Sequence, residues 1–401
     1  YAGGAFGYNS FHLDNGAENL LKIGIVSPEY DYTVTAVQSA TSTSYGNKYY
    51  NVCAGGYTSR YNIGYSFNNA VFYIGSGRIT AYREVGSTAI GDVNAGGCVG
   101  RVLGYGSAAT TIGDYDNYGS RSGSSDNVTV YYNANSRVEA SCYSFSSINK
   151  TGTLGNNVCA GGAIGYVLGY SEISNLSLNF DGSSAKSGKA AEYFVSGAQN
   201  GKNTGDDKDL QSEGFVGGVF GLVIDTKLKN IGINGDKTEN SVVYFTSANS
   251  PNTASVGGLI GALWRRKISS NTTLLDGANV EFVHAAGKAY CNVQGKDDTY
   301  DLYVGGAIGV FANPSGTNNI YITNITVRNS VIDAVGENTM LTYAGGIVAG
   351  MWWSATTELS YGVVENSAVT ASSIAPYAYA GGIVGLMQRS NINYCVTKDT
   401  D

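Results

Sequence analysis

Tyr303-Val304-Gly305-Gly306-Ala307-Ile308-Gly309-Val310-Phe311 is the stretch that decides the fold. A turn follows it at Asn313-Pro314-Ser315-Gly316. Next comes Ile320-Tyr321-Ile322-Thr323-Asn324-Ile325-Thr326-Val327, an alternating run rich in β-branched residues. A shorter run, Asn329-Ser330-Val331-Ile332-Asp333-Ala334-Val335, closes the unit. The glycine and β-branched content disfavours helix. Three short strands bounded by Gly, Asn and Ser, with no helical period, predict one turn of a parallel β-helix.

The glycine doublet that opens this unit returns along the whole chain. Its first glycines are Gly3, Gly55, Gly96, Gly161, Gly217, Gly257, Gly305, Gly345 and Gly381, at steps of 52, 41, 65, 56, 40, 48, 40 and 36 residues. Such spacing marks a solenoid, in which each repeat buries its apolar face only by stacking on its neighbours. The expectation is an all-β chain, a right-handed parallel β-helix (β-solenoid) of about nine coils. Residues 1–401 form one elongated domain, with polar insertions at 106–127 and 183–214. Insertions in solenoids map to loops on one face, often the functional one.

Stacked coils lie about 4.8 Å apart, so each position meets its own equivalent above and below. Glycine removes the Cβ and permits tight turns and close backbone approach. Positions two and six after the first glycine are mostly apolar (Leu259 and Leu263, Ile383 and Met387), and so is position three (Phe220, Ile260, Ile308, Val384). Strict alternation would send these sets to opposite faces. A strand apolar on both faces is buried on both, so this wall is expected to be covered by a loop, another domain or another subunit. A second column is expected from Asn175, Asn230, Asn271 and Asn393, with Asn324 equivalent after a longer turn. Their amides would stack inward, one per coil.

Charged residues make up only 14% of the chain, so Ser, Thr, Asn, Gly and Tyr must build much of the surface. That balance is common in secreted proteins and in proteins that pack on copies of themselves. The net charge of −7 argues against a nucleic-acid partner. The one basic cluster, Arg265-Arg266-Lys267, reads as a solvated turn. No run of 18 apolar residues predicts a membrane-spanning helix. The six cysteines, Cys53, Cys98, Cys142, Cys159, Cys291 and Cys395, include no C-x-x-C pair, which disfavours zinc. They read either as disulfide partners or as buried thiols. The chain opens on Tyr1 in frame with a repeat and stops one strand into another, after Cys395. Neither end carries a polar cap, so neighbours from the same chain or another copy are expected there.

Gly381-Gly382-Ile383-Val384-Gly385, followed by Ser390-Asn391-Ile392-Asn393-Tyr394-Cys395-Val396, resembles the GLUG-type repeat. This short glycine-rich motif occurs in secreted and cell-surface proteins, including adhesins and the non-catalytic part of some immunoglobulin-cleaving metallopeptidases. The resemblance covers most of the chain, with departures at Gly55-Gly56-Tyr57-Thr58-Ser59 and at Ala349. It implies a surface-associated stacked-β structure and no catalytic residues.

Catalytic signals are thin. His12 and His284 are the only histidines and neither lies in H-E-x-x-H; no G-x-S-x-G elbow or P-loop is present. Acidic groups of the kind used by polysaccharide hydrolases and lyases are Asp206, Asp207 and Asp209, or Asp297, Asp298 and Asp301, in polar loops. Asp114-Tyr115-Asp116-Asn117-Tyr118-Gly119 partly matches a calcium loop but lacks the closing Glu. No cofactor, metal or catalytic residue is assigned. Trp264, Trp352 and Trp353 follow glycine strands at nearly the same offset and are candidates for an aromatic stripe that meets sugars or protein. Sequons stand at Asn127, Asn149, Asn175, Asn271 and Asn324. Asn127 and Asn149 are the better glycan candidates if the column asparagines point inward.

These readings converge on a non-enzymatic structural subunit or segment of an extracellular or cell-surface fibre. Its partners would be copies of itself, head-to-tail or lateral through the glycine-rich wall, or further repeats, with glycans as an additional ligand class. The alternative is an adhesin stalk or binding module presenting loops to a glycan or host protein, and the third is a polysaccharide-active enzyme.

Overall fold

The computed structural model describes residues 2–3, 21–24, 33–38, 51–62, 68–75, 77–84, 91–103, 122–133, 136–143, 157–180, 193–199, 213–237, 240–247, 253–265, 271–291, 301–313, 318–338, 341–352, 357–374 and 377–400. They form a parallel β-solenoid of about eight coils. All strand pairs are parallel between coils, and four sheets run along the stack, with nine, eight, ten and eight strands. In the coil that starts at Glu213, the first-sheet strand is Glu213–Gly217 and the second-sheet strand is Phe220–Ile224. Lys227–Asn234 belongs to the third sheet and Ser241–Ser247 to the fourth.

Each complete coil among the described residues therefore has four strands where the sequence reading expects three. The difference lies at the doublet. Gly218 and Val219 form a bend that splits the expected glycine strand between two sheets. The bend still bonds from coil to coil, with Gly218 N donating to Gly257 O and Val219 N to Leu259 O. The nine first glycines pair in one unbroken column, from Gly3 on Gly55 to Gly345 on Gly381. Two expected insertions contain regular structure: residues 122–127 open the strand Ser122–Tyr132, and Val195–Gln199 is a fourth-sheet strand.

The main core runs down the axis and takes positions two, three and six after the first glycine of each doublet from Gly96 to Gly345, as with Val219, Phe220 and Val223. The alternation argument fails here because the doublet bend resets the strand's direction. Pairing also skips the position-four glycine, passing from Phe220↔Ile260 to Leu222↔Ala262. The strand is nonetheless buried on both faces. Positions five and seven, such as Leu222 and Ile224, or Val310 and Ala312, enter a second apolar cluster.

Two other positions in the turn use the left-handed backbone region. The third-sheet kink falls on one column: Asn69, Asn127, Asn175, Asn230, Gly277, Asn324, Tyr361 and Tyr394, all with φ between 50° and 82°. Asn tolerates this conformation better than most residues because its short side chain bonds locally. The column asparagines point outward, and Asn127, Asn175, Asn230 and Asn324 are exposed. Asn127 donates to Asn69 Oδ1 at 2.7 Å and Asn230 to Asn175 Oδ1 at 2.9 Å, while Asn175 reaches Asp126 and Asn324 reaches Asp276. Asn271 and Asn393 lie outside the column. Asn271 instead accepts from Asn319 N in the next coil. A further left-handed corner, Asn240, Phe282, Asn329 and Asn366, joins the third and fourth sheets.

Candidate functional site: a re-entrant notch and an open end face

The second cluster arises because the doublet bend folds the second-sheet strand back on the first. The backbones approach closely at position four, where a Cβ on Gly261 would lie 2.6 Å from Val216 N of the preceding coil. Farther from the bend the two sheets diverge, and large side chains fill the wedge. Phe215 meets Trp264 edge to face at 5.0 Å, and Tyr303 meets Trp352 at 4.8 Å. The cover expected for this wall is thus the neighbouring strand of the same chain. Trp264 is buried and Trp352 half-buried in the wedge, rather than set on an exposed stripe; Trp353 lies outside the described residues.

The wedge changes character along the stack. Its first-sheet column reads Cys53, Asn94, Cys159, Phe215, Ser255, Tyr303, Tyr343 and Tyr379. The second-sheet column facing it passes from Arg101 and Tyr166 to Leu222, Ala262 and Val310. The N-terminal part is therefore polar yet buried. Asn94 Nδ2 donates to Cys53 Sγ at 3.6 Å, and the Arg101 guanidinium lies 4.8 Å from the Tyr166 ring centroid. Burial raises the Cys159 thiol well above its ordinary pKa, Asp92 adds to the rise and Arg101 opposes it. Burial alone pushes Cys98 up in the same way. Protonated thiols are poor nucleophiles and poor metal ligands. Among the described residues no group of three His, Cys, Asp or Glu is placed to hold a metal.

Arg265, expected in a solvated turn, is buried, and its guanidinium donates to Asn318 O at 2.7 Å. Arg266 and Lys267 lie outside the described residues, as do His12, Asn149, Asp297, Asp298, the acidic stretch Asp206 to Asp209 and the Asp114 to Gly119 loop. Asp301 is described. Tyr303 OH donates to its Oδ2 at 2.8 Å, while its buried Oδ1 has no partner among the described residues. Burial raises its pKa to about 6, against the opposing hydrogen bond from Tyr303. An acid whose pKa is raised by folding stabilises the protein most below its unfolded pKa and loses that contribution as pH rises through the folded value. Stability should therefore fall by about 2–3 kcal/mol between pH 4 and pH 7 on account of this group, at ~1.4 kcal/mol per pKa unit. Asp301→Asn should flatten that part of the urea-midpoint profile. An unchanged slope would remove Asp301 as its source.

The other candidate surface is the last coil. Its strands, Ala378–Gly381, Val384–Met387, Ser390–Asn393 and Val396–Lys398, pair on one side only. Core columns emerge uncovered there. Leu359 is fully buried, whereas Ile392, next in its column, is 37% exposed. Tyr303, Tyr343 and Tyr379 stack at 5.0 and 5.4 Å with nearly parallel rings, and the outermost is 46% exposed. Outside the stack, Glu365 holds Arg328 at 2.9 Å and Lys398 at 2.8 Å across three coils.

No protein family, curated protein or solved structure matches the chain. No helix among the described residues is long and apolar enough to cross a membrane.

Proposed function

We propose that the chain is a structural subunit or segment of an extracellular or cell-surface fibre, continued by coil-on-coil stacking into another copy or further repeats. The observation that carries this reading is the unbroken stack, in which the glycine doublets pair coil on coil from Gly3 to Gly381 and the last coil keeps the register of the interior. Unpaired strand edges are templates for another chain, and Ala378–Gly381 and Val384–Met387 carry no charged residue to blunt them. The glycine-rich wall is filled from within, which leaves the stack's end as the assembly surface of the proposal. The cell-surface setting follows from the resemblance of the repeats to the GLUG type. Sedimentation velocity and negative-stain imaging of the 401-residue chain across a concentration series test it. Concentration-dependent oligomers growing in one dimension are expected. A monomer at every concentration would reject the fibre reading.

A second reading, a stalk or binding module that presents loops, is favoured by a different observation. Segments 39–50, 85–90, 144–156, 200–212 and 292–300 all connect the fourth sheet to the first. Their anchor points therefore line one corner, and four of the five lie along the polar half of the wedge. Glycan-array binding by a monomeric chain would support this reading over the first.

A further inference from the structure

We infer that the left-handed column of the third sheet carries N-linked oligosaccharides at Asn127, Asn175 and Asn324, in one line along the solenoid. This rests on the cell-surface setting of the fibre reading, because such sequons are glycosylated in secreted proteins.

Asn127-Val128-Thr129, Asn175-Leu176-Ser177 and Asn324-Ile325-Thr326 are sequons with no proline at the middle position. The backbone places all three alike. Their asparagines sit at the kink with φ of 55°, 50° and 58°, and all three are exposed. The middle residues, Val128, Leu176 and Ile325, turn into the axial core. The hydroxyl residues Thr129, Ser177 and Thr326 face outward again, in one column of the sheet. The amide and the hydroxyl of each sequon therefore stand on the same outer face. The kink itself does not require the hydroxyl, since Asn69-Ala70-Val71 and Asn230-Ile231-Gly232 hold the same position without one.

The hydrogen bonds of the column are compatible with the modification. Asn127 Nδ2 donates to Asn69 Oδ1, Asn175 Nδ2 to Asp126 Oδ1 and Asn324 Nδ2 to Asp276 Oδ1. Each nitrogen thus uses one of its two N–H groups. In the transfer, Nδ2 attacks the anomeric carbon of a lipid-diphosphate-linked oligosaccharide. The N–C bond forms, the C–O bond to the diphosphate breaks, the amide loses one proton and the lipid diphosphate leaves. One N–H stays on each nitrogen for the bond it makes.

Asn127 and Asn175 lie on adjacent coils, about 4.8 Å apart, and Asn324 lies three coils further on, at about 14 Å. Sugars on this line keep the third-sheet face out of lateral contacts between copies and leave stacking along the axis unobstructed.

The test is to send the 401-residue chain, fused to a secretion signal, through the secretory pathway of a eukaryotic cell and to read its glycopeptides by intact mass spectrometry. Glycan is expected on Asn127, Asn175 and Asn324 in most molecules. Thr129→Ala, Ser177→Ala and Thr326→Ala should each lose one oligosaccharide, at the asparagine two residues earlier, with an unchanged circular dichroism spectrum. A secreted chain with any of the three sites bare in most molecules would overturn this inference. Filaments formed by that bare chain would leave the fibre reading standing. A glycosylated chain that stays monomeric at every concentration would keep the glycan line and reject the fibre.

Discussion

Gly305→Ala is expected to cost more than about 4 kcal/mol, enough to prevent the central coils from closing, because it forces overlap with backbone that has nowhere to move. A Cβ at Gly305 would overlap the Ile308 carbonyl oxygen, and one at its neighbour Gly306 would overlap the Gly346 carbonyl oxygen of the next coil. Both obstacles are main-chain atoms fixed within the stacked coils, so no rotamer change relieves the clash. The control is Gly232→Ala, where the nearest atom to a new Cβ is Asn279 O at 3.8 Å. That variant should stay within about 1 kcal/mol of the parent, since alanine also restricts the unfolded chain. Circular dichroism and urea titration of the pair decide the matter. Equal midpoints would mean that the doublet is not the tight element described here.

The second large effect is expected in the wedge. Phe215 is fully buried, packs edge to face on Trp264 and belongs to the cluster that separates the first and second sheets. Phe215→Ala should cost about 3–5 kcal/mol, the usual range for emptying a buried aromatic site. In a stack whose coils touch only their neighbours the loss should be local. Hydrogen exchange should quicken in residues 213–224 and 253–264 and change little near residue 360. Uniform loss of protection along the whole chain would show that the coils unfold as one unit.

The stacked repeat was legible because its cause is local. A doublet that must pass another doublet at close range leaves no choice but glycine, and nine copies expose the period. The wedge was much less legible. It depends on a reversal of chain direction at Gly218-Val219, after which Val219 and Phe220 turn to the same side, and simple alternation cannot register a reversal. The left-handed column was half legible. Counting from the doublet finds Asn175 and Asn230 but misses Asn127, because residues 104–121 lie between them and the doublet. The same count lands on Asn271 and Asn393, although Gly277 and Tyr394 hold the left-handed positions in those coils. Backbone conformation defines that column, and Asn, Gly and Tyr all occupy it. Arg265 is a further case: the triplet of charges suggested solvent, but the carbonyl of Asn318 one coil away holds it inside.

Two protonated thiols, Cys98 in the axial core and Cys159 in the wedge, carry a consequence for where the molecule can persist. Cys98 and Cys159 sit inside the stack with their pKa values raised by burial. A thiol that neither ionises nor meets solvent exchanges with neither glutathione nor an oxidant. Around these two positions the fold is therefore indifferent to redox potential and is expected to be as durable in a reducing cytosol as in an oxidising exterior.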